Sequence, residues 1–248
     1  MITAKGIFKS YQSFKAVQDL HLEVPQGKVF GFLGPNGAGK TTTIRMLTGI
    51  LEPDEGQIEV FGLPYATHRN EILNHMGYIP DRPFLYGKLT VMELLRFLGS
   101  LRRMSPAEVR KRGMDLLEQF QLADFAHQLV ERLSHGMRQK LVFSAALLHQ
   151  PKLLIIDEPM VGLDPRAAKQ VKELLRDYAS GGRTVFMSTH TLEVAAALCD
   201  QVGIIHKGRM VASESLERLT KRLEKRDGDL EAVFMALTED IGDEAVPH

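Results

Sequence analysis

At 248 residues, the chain has the length of one large domain, or of one domain carrying an insert. Its 31 Lys+Arg balance its 31 Asp+Glu, so overall charge gives no sign of a strongly basic nucleic-acid binder. One cysteine, Cys199, excludes an internal disulfide and a multi-cysteine zinc site, and fits a reducing, cytosolic setting.

The opening "MITAKGIFKSYQ" lacks the apolar core of a secretory signal. No apolar run approaches the roughly 18 residues of a membrane helix, so any membrane role is expected to run through a partner. "LHLEV" (20–24) alternates as a half-buried strand does, and "KVFGFLG" (28–34) reads as a buried strand ending in Gly. "TTTIRMLTGIL" follows with Ile44, Leu47 and Leu51 on one helical face. "PDEG" is a turn and "QIEVFG" a further strand.

After about residue 84 the texture becomes helical. "LTVMELLRFLGSLRRM" is one helix. "SPAEVRKRGMDLLEQF" is the next, with Ser105 as cap, Pro106 at the first position and Glu108 completing a capping box. A third runs from about Gly136 to His149, so residues 84–150 read as an all-helical insert. The stretch "RLSHGMRQK" before it sets Ser134 beside His135. That pair fits either a nucleophile with its base or the start of a helix.

Strand and helix then alternate again. "KLLIID" is a buried strand, and "DPRAAKQVKELLRDYA" a helix capped by Asp164 with Pro165 first. "TVFMST" is a strand, "LEVAAAL" a helix, and "VGIIHKGRMVA" a hairpin turning at Lys207-Gly208. A charged stretch and the amphipathic "LEAVFMAL" close the chain. Cys199 reads as packed within an apolar helix, and Arg102, Arg103, Arg110, Lys111 and Arg112 as a solvated face.

Three motifs carry chemistry. "GPNGAGKT", Gly34 to Thr41, follows a buried strand and opens a helix, the context of a phosphate-binding loop. Its glycines let backbone N–H groups converge on phosphate oxygens, Lys40 can reach the outer phosphates, and the Thr41 hydroxyl can bind Mg²⁺. "LLIIDEP" delivers Asp157 to the end of a strand, where it can hold Mg²⁺. Glu158 follows as a base for the attacking water. "STH" ends another strand and brings His190 to the same edge.

The order "GPNGAGKTT", "LSHGM", "LLIIDEP", "GLDP", "STH" resembles the ATP-binding subunit of an ABC transporter, over roughly residues 2 to 215. The signature variant and the segment "GYIPDRPFLY" resemble the exporter-like, ABC-2-type group. The resemblance implies an α/β P-loop NTPase fold: a RecA-like core with an antiparallel β subdomain and the inserted helical subdomain. The cassette would span 1–220, with a helical tail over 221–248. Tyr11 matches the aromatic that stacks on adenine, with Phe14 as the second candidate. Gly34, Pro35, Asn36, Gly37, Ala38, Gly39, Lys40, Thr41 and Thr42 match the ATP-binding loop. Ser134, His135, Gly136 and Met137 match the signature motif, which binds the ATP held by a second subunit. Gly162, Leu163 and Asp164 match the loop that touches that subunit.

An ATPase with ATP and Mg²⁺ follows, with Lys40, Glu158 and His190 in catalytic roles. A homodimer sandwiching two ATPs is implied, bound to a separate multi-spanning membrane subunit on the cytoplasmic face, with no nucleic-acid partner. An ABC-type ATPase acting on DNA or ribosomes usually carries long coiled coils, zinc modules or two heads. A P-loop kinase or GTPase would show an acceptor or guanine motif. Three positions depart from the family pattern: His135 and Met137 in the signature, and Asp81 where a Gln usually reaches Mg²⁺. Asp81 is expected to serve as a magnesium-side sensor in its place.

Overall fold

The computed structural model describes residues 1–160, 163 and 165–224. Strands β1 (Ile2–Tyr11) and β2 (Phe14–Val24) form an antiparallel pair whose two-residue turn sets Tyr11 opposite Phe14. Then come β3 (Val29–Leu33), α1 (Lys40–Leu47), β4 (Glu55–Val60), β5 (Leu63–Pro64), α2 (Tyr65–Asn74) and β6 (Met76–Ile79). Helices α3 (Val91–Leu101), α4 (Pro106–Gln119) and α5 (His135–Leu147) follow, with two single 3₁₀ turns between the last two. The chain continues through β7 (Leu153–Asp157), α6 (Pro165–Ser180), β8 (Thr184–Thr189) and α7 (Leu192–Leu198). It closes on β9 (Gln201–His206), β10 (Arg209–Ser215) and α8 (Leu216–Glu224).

Two sheets result. One is antiparallel, in the order β2-β1-β4-β5. The other runs β10-β9-β3-β8-β7-β6, parallel except for the β9–β10 hairpin. The larger sheet is buried on both faces, which is why its strands are continuous apolar runs. Alternate residues serve different cores. Phe30, Phe32, Ile155 and Phe186 face the antiparallel sheet and α1, while Leu154, Ile156, Val185 and Met187 face the helices. The Phe30 and Phe186 rings stack with centroids 5.7 Å apart.

Local signals explain the helix starts. Ser105 and Glu108 make the expected capping box, and Thr90 and Glu93 make another for α3. The hairpin turns where expected, with Lys207 at φ 46° and Gly208 at φ 80°, the two left-handed residues such a turn requires. Three expectations are corrected. Leu51 is not on the first helix: α1 stops at Leu47, the Thr48 hydroxyl donates back to the Ile44 carbonyl at 2.9 Å, and Gly49 turns left-handed. The basic cluster is not uniformly solvated. Arg102 donates to the carbonyls of Leu73 at the end of α2 and Met76 at the start of β6, and Arg112 to those of Leu147 and Leu148 at the end of α5. Cys199 follows α7 rather than lying within it; it is buried, and burial pushes its thiol up to about 12. The expected stripe at Leu230–Leu237, and the tail beyond 224, lie outside the described residues.

Candidate nucleotide site

The parallel sheet gathers the motifs at one edge. Leu33 pairs with Thr189, and Asp157 with Ser188, so the ends of β3, β7 and β8 stand side by side. Ligands of open parallel sheets sit at these carboxyl ends.

The loop from Gly34 to Gly39 leaves β3 under tight constraint. A Cβ at Gly34 would lie 2.4 Å from the Ile205 carbonyl, and one at Gly39 would lie 2.6 Å from the Ala16 carbonyl. Gly39 also caps α1 at φ 107°, with no side chain accepting from the first N–H groups. Those donors and the helix dipole are thereby left facing a negative ligand. The Gly208 N–H, from the β9–β10 turn, donates to the Ala38 carbonyl at 2.9 Å and buttresses the loop from behind.

Lys40 is 6% exposed. Its ammonium folds onto the carbonyls of Gly34 (2.7 Å) and Pro35 (3.2 Å), and stands 3.7 Å from the Glu158 carboxylate. Burial holds its pKa below the ordinary lysine value, against the opposing pull of Glu158 and Asp157. The Thr41 hydroxyl donates to Asp157 Oδ2 at 3.1 Å, and Ser188 donates to Asp157 Oδ1 at 2.5 Å. Glu158 sits at φ 52°, a left-handed conformation costing roughly 1–2 kcal/mol for a side-chain-bearing residue. Its N–H donates to Ser188 Oγ at 3.0 Å, and its Oε2 meets His190 Nδ1 at 3.0 Å. Such backbone strain gathers at functional sites.

These groups surround a cavity of about 380 Å³ lined by Asn36, Gly37, Gly39, Lys40, Thr41, Thr42, Asp81, Asp157, Glu158 and His190, with Phe14 and Ala16 on one wall. Gly34, Pro35 and Ala38 shape the loop from beneath. Between the two aromatic candidates the structure brings Phe14 to the cavity and not Tyr11. They are cross-strand partners at the hairpin turn, and their side chains are both exposed.

The oxygen set of Thr41 and Asp157, with Asp81 on the wall, suits a hard cation such as Mg²⁺. Such an ion takes only one or two protein carboxylates and completes its shell with phosphate and water. No group of three or more His, Cys, Asp or Glu that could hold a metal occurs among the described residues.

The signature residues lie elsewhere. Ser134 caps α5, its hydroxyl accepting from the Met137 N–H at 3.3 Å. None of Ser134, His135, Gly136 or Met137 lines the cavity; Ser134 and His135 are exposed, and a Cβ at Gly136 would meet open space. Ser134 makes no contact with the His135 ring of the kind a nucleophile and its base would need. Leu163 is half-buried against the helical core; Gly162 and Asp164 lie outside the described residues. Ser188 is the residue whose role the sequence did not announce: it was legible only as the start of "STH".

Fold and site together define a P-loop nucleotide hydrolase. The ABC transporter family model matches residues 17–161, and the chain belongs to that family as an ATP-binding, ATP-hydrolysing cassette. It is similar to the bacitracin transport ATP-binding protein BcrA of Bacillus licheniformis, 40% identical over 227 residues, 91% of this chain and 73% of that protein. It is also similar to the Nod factor export ATP-binding protein I of Ralstonia nicotianae, 38% identical over 212 residues, 86% of this chain and 66% of that one. A solved ATP binding subunit of an ABC transporter superposes with a TM-score of 0.87 at 33% identity, covering 96% of this chain and 99% of that one. The cassette MJ0796, solved as a dimer in a post-hydrolysis state with ADP and Pi, shares the fold at a TM-score of 0.79 and 24% identity, covering 87% of this chain and 99% of that one. No helix among the described residues is long and apolar enough to cross a membrane.

Proposed function

We propose that this chain powers a membrane exporter as one of two identical cassettes that close on two ATP molecules. The observation that carries the reading is the division of the site. Lys40, Thr41, Asp157, Glu158 and His190 surround one cavity, while Ser134 to Met137 present an exposed helix start that reaches no ligand of their own chain. A phosphate-binding loop covers one side of a nucleotide. In related enzymes a group donated from outside is worth roughly 10³–10⁵ in rate. Ser134 and the Gly136 N–H of a second copy would supply that side.

Within the cavity, Lys40 would exchange the Gly34 and Pro35 carbonyls for outer phosphate oxygens. Thr41 and Asp157, with Asp81 on the γ-phosphate side, would hold Mg²⁺, which supplies charge neutralisation at the phosphates when bound. Glu158 would take a proton from the attacking water, held in aim by its contact with His190. Phe14, with Tyr11 beside it, would meet the base.

The membrane-spanning partner is supported by the helical region. Phe84 is 82% exposed and Leu101 65% exposed, and Tyr86 meets Phe84 and Phe97 edge-on at 5.5 and 5.3 Å. Large exposed apolar side chains mark interaction surfaces. The direction of transport rests on the likeness to a protein named for Nod factor export and on the variant signature. Light scattering of Glu158→Gln tests the sandwich. ATP with Mg²⁺ is expected to double the mass, and Ser134→Arg is expected to prevent it. A Glu158→Gln chain that binds ATP yet stays monomeric at high concentration would sink the dimer reading.

A further inference from the structure

We propose that Ser188 is a positioning residue that sets both acids of the site through one hydroxyl; the proposal deepens the reading of Asp157 and Glu158 given above. Ser188 lies at the end of β8, is 0% exposed, and pairs in register with Asp157. Its hydroxyl has one hydrogen to give and lone pairs to receive. The hydrogen goes to Asp157 Oδ1 at 2.5 Å, and a lone pair takes the Glu158 N–H at 3.0 Å.

Both bonds have consequences for chemistry. With Oδ1 engaged by Ser188, Asp157 presents Oδ2 to Thr41, the side on which a cation and phosphate would lie. The Glu158 N–H is fixed at the point where the backbone turns left-handed, and that turn throws the Glu158 side chain toward Lys40 and His190. Removing the hydroxyl leaves the Asp157 oxygen free to rotate and the strained Glu158 turn unsupported. No other side chain is bonded to the Glu158 N–H among the described residues. Ser188 itself lines no part of the cavity, so its action runs through the two acids.

The test compares Ser188→Thr, which keeps the hydroxyl, with Ser188→Val, which has nearly the same shape without it; Ser188→Ala replaces the latter if valine prevents folding. Partners that orient a metal-binding or reacting group typically cost about 10–100-fold in activity or metal affinity when removed. Valine is expected to lower kcat within that range while KM for ATP changes by less than about threefold. Its Mn²⁺ affinity, read by electron paramagnetic resonance with ADP present, is expected to fall about tenfold. Threonine is expected to stay within about threefold of the parent in both readouts. A valine variant matching threonine in kcat and Mn²⁺ affinity, or a threonine variant impaired as much as valine, overturns the proposal. Glu158→Gln is run beside them. If it is inactive while Ser188→Val is normal, the role of Ser188 alone fails. If it is fully active, the acid that Ser188 is proposed to aim is not the base, and both readings fall.

Discussion

Two helix starts in this chain are proposed to face phosphate, and they are built in opposite ways. At α1 the cap is Gly39, left-handed and without a side chain. The preceding loop is pressed against Ala16 and Ile205, and the charge behind it is a buried lysine. At α5 the cap is Ser134, its hydroxyl already accepting from Met137, with an exposed histidine next and open space beside Gly136. The first start is closely packed and leaves its donors uncapped, so it is suited to a ligand of its own chain. The second is self-capped and open, so in the proposed dimer it would meet a phosphate only when another molecule brings one. The far end of α5 shows how that surface is held. His149 meets the Met76 carbonyl at 3.0 Å, and Arg112 caps the Leu147 and Leu148 carbonyls.

Four changes would break or sharpen this contrast. Glu158→Gln, beside the first start, is expected to slow hydrolysis by about 10²–10⁴ while ATP still binds, as single-turnover kinetics would show. Lys40→Ala should cost about 10²–10³ in hydrolysis together with nucleotide affinity; unchanged affinity by fluorescence titration would remove Lys40 from the phosphates.

The third change is at the far end of α5. Burial first, and then the Arg102 charge, lower the His149 pKa from 6.5 to about 4. In the unfolded chain His149 takes a proton as pH falls through 6.5, whereas in the folded chain it stays neutral until about 4. The unfolded state therefore binds more protons in that window, and folding stability drops as pH falls across it, by about 2–3 kcal/mol in all. Denaturant titrations of His149→Gln between pH 7 and 4 should show a flatter profile than the parent; an equal slope would assign the acid sensitivity to other groups.

The smallest effect is expected at Ser134→Ala. It should cost about 1 kcal/mol of stability from the lost cap. Nucleotide affinity of the single chain should be unchanged, while the ATP-dependent dimer weakens. Weakened monomer binding would mean that α5 serves its own cavity.

The most legible parts of the sequence were those where one physical cause dominates. β3, β7 and β8 are buried on both faces and so read as apolar runs. α4 declares itself through Ser105, Pro106 and Glu108, and the last hairpin through Lys207-Gly208. β1 was not legible, because register shifts between Ala4 and Ser10 and a left-handed Gly6 break its alternation. α2 carries a kink at His68, and β6 has only four residues. In the site, the motifs around Lys40, Thr41, Asp157, Glu158 and His190 pointed to residues that the sheet brings to one cavity. That Phe14 and not Tyr11 borders the cavity depends on how a two-residue hairpin leans, and the pairing of Ser188 with Asp157 depends on strand register, neither of which is written locally.

The sheet's double-sided burial has a further consequence, in the timing of its amides. The strands that end at Leu33, Asp157 and Thr189 are sealed between two cores, so their N–H groups should exchange with solvent only when the whole molecule opens. The α5 start, exposed on the outside, should exchange through small local openings. The hydrolytic groups would thus share one slow clock, and the surface proposed to meet a second copy would keep a faster one of its own.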